Sequence, residues 1–298
     1  MADKIPSILD SKPQEQLFAI LAKEFAKNPH VDRIIQRGSF AKRQSDRASD
    51  IDLLLVVQDK AIKRMLAELD AVVGAHCTLM APHGWVDTIV PDFGGIGFVY
   101  LVKFNQRLIQ LDVYITPSSW SRRIDEDKEA AAVYTRSGYT PDYSQKSAPK
   151  EVIKQCIAGV ELEYQIIFEF LLLVVMYLKH IYRNRPTLAL KYRYALTESL
   201  AVFLRYVFTP HRVTSYGVEY KMYDWESDFR NITSPAVKAF ERMLVTINIY
   251  SVEEIFALMH VFKTVLYESP LRARYKEFSP LIKEASLYSK GLLFPDYD

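Results

Sequence analysis

Asp50 and Asp52 are the residues best placed to do chemistry. They sit in Arg37 to Val57, RGSFAKRQSDRASDIDLLLVV, where Ser49-Asp50-Ile51-Asp52 opens an apolar run of strand length. Residues i and i+2 of a strand project to one face, so the spacing predicts two carboxylates side by side at the mouth of a hydrophobic strand. Two such acids repel each other and each must be desolvated. A divalent cation removes both penalties. Mg²⁺ fits, because it takes one or two carboxylates and keeps positions open for phosphate oxygens. Two ions roughly 3.5–4 Å apart can clamp the attacking and leaving oxygens of an in-line displacement. Upstream, Gly38-Ser39 ends another short strand. A glycine there lets the backbone approach a ligand closely, and the Ser39 hydroxyl with the amides that follow can hold phosphate oxygens. Lys42 and Arg43 can add positive charge, and Ser49 completes the nucleotide-binding candidates. A third carboxylate is expected from a neighbouring strand. Asp112, an isolated acid within Leu108 to Ile115, fits this need, and Asp87 in the segment WVDTIV competes with it.

The elements that must hold these residues are legible from periodicity. Gln14 to Lys27 and Lys60 to Val73 repeat apolar residues at helical spacing. Val31 to Gln36, Ile51 to Val57 and Trp85 to Val90 read as strands. Phe98 to Phe104 and Leu108 to Ile115 read as a hairpin around Asn105-Gln106. A helical piece is expected near Asp125 to Tyr134, and Tyr139 to Pro149 reads as a linker. From Lys150 on the pattern is helical. Helices are expected at Glu151 to Tyr182, Leu188 to Phe208, Pro235 to Ile249, Val252 to Tyr267 and Pro280 to Ser289, with prolines at the boundaries. The expected fold class is α+β. It comprises an α/β domain with a mixed sheet over residues 1–140, followed by an all-helical bundle over 141–298.

Gly38-Ser39, then Asp50-x-Asp52, then Asp112 inside an apolar strand resembles the DNA polymerase β-like nucleotidyltransferase superfamily. Within it the chain looks most like bacterial small-molecule nucleotidyltransferases of the aminoglycoside and lincosamide resistance type. The likeness covers Val31 to Val57 and Leu108 to Ile115. It implies a nucleotidyltransferase catalytic domain followed by a helical substrate-binding domain. Asp50 and Asp52 would bind two Mg²⁺ ions, and Asp112 would bind the catalytic one and assist deprotonation of the acceptor. Gly38 and Ser39 would hold the triphosphate of ATP or another nucleoside triphosphate. A hydroxyl of a small molecule, an antibiotic among the options, would receive the nucleoside monophosphate, with release of pyrophosphate. In several family members a glutamate serves as general base. Glu161, Glu163 and Glu169 are the candidates here, with Glu163 preferred because it lies at the margin of the apolar stripe. The chain departs from the family pattern where Phe40-Ala41 separates Gly38-Ser39 from its first basic residues. The resemblance also allows a tRNA or protein acceptor, as in toxin–antitoxin pairs, or a non-catalytic nucleotide-binding relative.

Composition narrows these classes. The chain has 298 residues, 49% hydrophobic and 25% charged, so disorder and fibrous repeats are excluded. Its net charge of +2 supplies no global field for a polyanion. One local basic cluster stands out, Lys179, Arg183, Arg185, Lys191 and Arg193. Two cysteines cannot build a disulfide framework, and the six scattered histidines show no zinc spacing. Ile166 to Leu178 is the most apolar stretch, but it is shorter than the roughly 20 residues of a spanning helix and contains Glu169. It is expected to be a buried core helix in a protein without a membrane partner. The N-terminus has no signal-peptide pattern, and a cytoplasmic location is expected.

Overall fold

The computed structural model describes residues 12–90, 95–120, 124, 130–141, 161–210, 225, 229–245 and 252–293. The chain divides into two compact units, Met1–Val160 and Glu161–Asp298.

The first unit runs α1 (Lys12–Ala26), β1 (Val31–Gln36), α2 (Gly38–Ala41), β2 (Ile51–Val57), α3 (Ile62–Gly74), β3 (Thr78–Leu79), β4 (Trp85–Val90), β5 (Gly95–Phe104), β6 (Arg107–Pro117) and β7 (Ala131–Thr135). Its seven strands form one sheet in the order β3-β5-β6-β2-β1-β7, with β4 also paired to β5. The sheet is mixed: β2 and β6 are parallel, whereas β2 with β1 and β6 with β5 are antiparallel. A central strand has neighbours on both edges and cover on both faces, which explains the continuous apolar run of β2. Leu53, Leu54, Leu55, Val56 and Val57 are all fully buried.

The two faces of β2 carry different loads. Ile51, Leu53, Leu55 and Val57 face a large core with Leu17, Leu21 and Phe25 of α1 and Ile62, Met65, Leu69 and Val73 of α3. Those helix positions recur every three or four residues, so each helix lays a single apolar stripe on the sheet. Leu54 and Val56 join a much smaller cluster on the other face with Ile35 and Ile124. Asp52 belongs to this second face, by the strict alternation of a strand. The β5–β6 hairpin closes through Asn105 (φ 47°) and Gln106 (φ 62°), the double left-handed turn that matches strand twist.

Sequence reading predicts a helix near Asp125 to Tyr134, and the structure corrects its end. Ala131–Thr135 is β7, paired antiparallel with β1. Two alanines favour a helix locally, but the edge of β1 offers backbone partners, and Val133-Tyr134-Thr135 suits a pleated surface. Residues 125–129 and most of the expected linker lie outside the described residues.

The second unit contains α4 (Leu162–Tyr182), α5 (Pro186–Phe208), α6 (Pro235–Val245), α7 (Val252–Glu268) and α8 (Arg272–Leu293). The α4–α5 turn is locally encoded. Asn184 adopts φ 49°, Arg185 N donates to His180 O at 3.0 Å, and Pro186 begins α5. By length and composition α4 could cross a membrane, yet 72% of its apolar window is buried within the protein. Phe170 of α4 stacks on Phe262 of α7 at 4.2 Å, and Phe203 of α5 meets the same ring at 4.7 Å. These packed aromatic faces account for the apolar run of α4.

Three further expectations are corrected by the second unit. Glu161 is not inside a helix. It is the N-cap of α4 with extended backbone (φ −64°, ψ 128°), and its side chain is mostly exposed rather than near a buried stripe. Pro280 lies inside α8, not at its start. The basic cluster is not one surface patch. Lys179 and Arg193 are 3% and 5% exposed, and Arg193 is paired with Glu254 of α7 and bonded to Thr197.

Candidate functional site

Parallel pairing of β2 with β6 brings the acids together. Asp52 and Asp112 are direct register partners, flanked by Ile51↔Leu111 and Leu53↔Val113. In-register residues on adjacent strands share a face, and adjacent strands run about 4.8 Å apart. Asp50 precedes the first residue of β2, and continuing the same register sets it opposite Gln110. The result is a two-by-two polar array, Asp50 and Asp52 beside Gln110 and Asp112, on the face that α1 and α3 leave uncovered. On the far side of β6, Asp112 pairs with Val99 and Gln110 with Leu101, both buried and apolar. Asp87 lies on β4, with β5 and β6 between it and β2, so topology favours Asp112 as the partner acid.

Asp112 is 7% exposed and Asp52 half-buried. Two carboxylates this close repel by about 4 kcal/mol at 4 Å and an effective dielectric near 20. Gln110 eases the burial of one of them. Its Nε2 donates to Asp112 Oδ1 at 3.0 Å and Oδ2 at 3.1 Å. Sequence reading passed over Gln110, although the signal was present: it stands two residues before Asp112 in an apolar strand and therefore shares its face.

The Gly38 turn is built against Asp52. Gly38 has φ +67°, and a Cβ on it would fall 1.9 Å from Asp52 Oδ2. Glycine is thus required twice, for its left-handed backbone and for the contact with the carboxylate. Arg37 N donates to Asp52 O at 3.2 Å, which ties the turn to β2. The Ser39 Oγ is buried and has no hydrogen-bond partner. A buried hydroxyl with no partner of its own is able to donate to a ligand oxygen. The expected helix after Gly38-Ser39 is a single turn. Phe40 is buried in the large core and anchors it, which explains why an aromatic residue precedes the basic ones.

Lys42 and Arg43 follow on an exposed loop; Arg43 has φ 55°. Ser49 is 3% exposed and organises the approach to Asp50. Its Oγ donates to Asp46 Oδ1 at 3.0 Å and accepts from Asp46 N at 2.9 Å, while Gln14 of α1 donates to Arg47 O at 2.9 Å. The Ser49 hydroxyl is therefore engaged in its own loop. Glu163 belongs to the second unit. Arg274 Nε donates to its Oε1 at 2.7 Å and Tyr206 OH to its Oε2 at 3.3 Å. Arg274 also pairs with Glu161 and Glu277. Glu163 is thus one arm of a charge network, with both carboxylate oxygens occupied.

The donor chemistry decides which metal site fits. Among the described residues no three or more His, Cys, Asp or Glu form a group able to hold a metal ion. A closed structural cage is therefore not what these residues make. An open Mg²⁺ site, with carboxylates from Asp52 and Asp112 and the remaining oxygens from nucleotide and water, fits their chemistry.

No protein-family model matches the chain, and no curated protein matches its sequence. Twelve chains of known structure are matched. Among them is an aminoglycoside 6-adenyltransferase from Bacillus subtilis, 12% identical, with 94% of this chain and 98% of that one covered and a TM-score of 0.31. A likeness at that score carries no argument about the chemistry of this chain.

Proposed function

We propose that this protein is a metal-dependent nucleotidyltransferase. It moves a nucleoside monophosphate from a triphosphate, ATP in the first instance, to a hydroxyl of a small molecule such as an antibiotic. The observation that carries the reading is the in-register Asp52–Asp112 pair, with Asp52 packed against the positive-φ Gly38 turn. Mg²⁺, held by Asp52 and Asp112 with Asp50 beside them, would neutralise charge developing on the phosphate oxygens. Gly38 lets the backbone come close to the triphosphate, and the Ser39 hydroxyl donates to one of its oxygens. Asp112 accepts the acceptor's hydroxyl proton. The acceptor oxygen bonds to the α-phosphorus, the bridge to the β-phosphate breaks, and pyrophosphate leaves. The reading assigns the proton to Asp112 because it is the register partner of Asp52, and it leaves Glu163 in its charge network with Arg274. Burial of Lys179 and Arg193 thins the basic cluster that a nucleic-acid acceptor would use, while Arg185 and Lys191 stay exposed. The reaction belongs in the cytoplasm, where ATP and Mg²⁺ are abundant.

The test is label transfer from α-labelled nucleoside triphosphates with a panel of hydroxyl acceptors, total RNA and cell protein. Transfer to a small molecule that stops with EDTA and in Asp52→Asn is expected. Full transfer by Asp52→Asn, or label only on RNA or protein, would overturn the assignment.

A further inference from the structure

The geometry points to Gln110 as the positioning residue of Asp112. The inference rests on the nucleotidyl-transfer reading and adds a residue to it. Gln110 and Asp112 share one face of β6 and are 8% and 7% exposed. One nitrogen, Nε2, straddles both carboxylate oxygens at 3.0 and 3.1 Å. An ionised carboxylate only accepts, so the amide must turn its nitrogen toward Asp112.

That orientation has a cost at the other end. Gln110 Oε1 is buried and accepts no hydrogen bond. A buried acceptor left unmade is unfavourable, and an apolar side chain at this position would remove the penalty. What Gln110 contributes is therefore made through Asp112 alone, by the two contacts of Nε2.

The charge of that contact matters as much as its geometry. Asp52 is the register partner of Asp112, and Asp50 stands two residues before Asp52. A carboxylate at 110 would add a fourth repelling charge, and a lysine or arginine would compete with a metal cation for Asp112. A neutral donor fixes the plane of the carboxylate and leaves its negative charge to the cation. Groups that orient a metal-ligating carboxylate typically alter metal affinity or activity by about 10–100-fold when removed.

The test compares Gln110→Met, which keeps chain length and removes the donor, with wild type and Asp112→Asn in the full chain. Mn²⁺ binding is followed by electron paramagnetic resonance without turnover, and thermal unfolding and steady-state kinetics are measured alongside. Gln110→Met is expected to bind Mn²⁺ about 10-fold more weakly and to lose about 10-fold in kcat with unchanged KM for ATP, at temperatures where both proteins are fully folded. A purely structural glutamine would lower the melting temperature and leave Mn²⁺ affinity and kcat unchanged, and that result overturns the inference. If Gln110→Met does not fold, Gln110→Leu carries the same comparison. Loss of Mn²⁺ binding in Asp112→Asn with none in Gln110→Met refutes the role of Gln110 alone. Unchanged binding and transfer in Asp112→Asn refutes the metal reading beneath it.

Discussion

Replacing Gly38 by alanine separates the two demands made on that residue. The backbone at φ +67° is costly for any L side chain, by about 1–2 kcal/mol. The second cost is local. The new methyl would stand 1.9 Å from Asp52 Oδ2, whereas ordinary contact begins near 3.4 Å, so the carboxylate must retreat by about 1.5 Å. The end of a half-buried side chain can move that far without unfolding the sheet, so stability should fall by little more than the backbone term. Transfer should suffer more, because misplacing a reacting group by about 1 Å can cost 10²-fold, equivalent to about 2.7 kcal/mol in the barrier. Gly138 supplies the control: it has φ +72° and nothing within 4 Å of a Cβ. Gly138→Ala should lose comparable stability in urea unfolding and keep wild-type kcat. Gly38→Ala should lose comparable stability and about 10²-fold in kcat. Full activity in Gly38→Ala, or an equal kinetic loss in Gly138→Ala, would refute the claim that the glycine is there to accommodate Asp52.

Two further outcomes test the helical unit. Glu254→Ala leaves the buried Arg193 guanidinium without its partner and should cost about 3–5 kcal/mol in chemical unfolding; a loss under about 1 kcal/mol would show that the pair is not desolvated. Burial, then the charge and hydrogen bond of Glu163, raise the Tyr206 phenol above its ordinary range. The neutral phenol is thus favoured in the folded state. Its stabilisation is complete below the unfolded phenol pKa and is lost as pH rises through the higher folded one. Phenolate absorbance, corrected with Tyr206→Phe, should show late ionisation that moves to lower pH in Glu163→Gln. No movement would mean that the two groups do not interact.

Much of the first unit was readable along the chain. The bounds of β1 and β2 follow from apolar runs cut by polar residues, and the β5–β6 turn follows from Asn105-Gln106. The Asp50-x-Asp52 spacing already implied a shared face. What could not be read was the register that decides between Asp112 and Asp87 as the partner acid. Asp112 lies 60 residues beyond Asp52, and only the parallel register of β2 and β6 makes them neighbours. The β7 error has the same origin, since the alanines at 131 and 132 say nothing about the vacant edge of β1.

Periodicity, turn chemistry and the types of the acids are local properties, carried by residues within a few positions of one another. Most strands and helices, and the placing of Asp50 and Asp52 at the mouth of β2, were therefore set by the chain's own local order. Contact across long sequence separations settled the rest. The register paired Asp52 with Asp112, the fold pressed Gly38 against Asp52, and Gln110 was left holding the buried acid. In the second unit Glu254, 61 residues from Arg193, turned an expected surface cation into a buried ion pair. Arg274, 111 residues from Glu163, tied that glutamate into a charge network. The physical reason is common to all of them: each depends on a partner that chain neighbourhood does not supply.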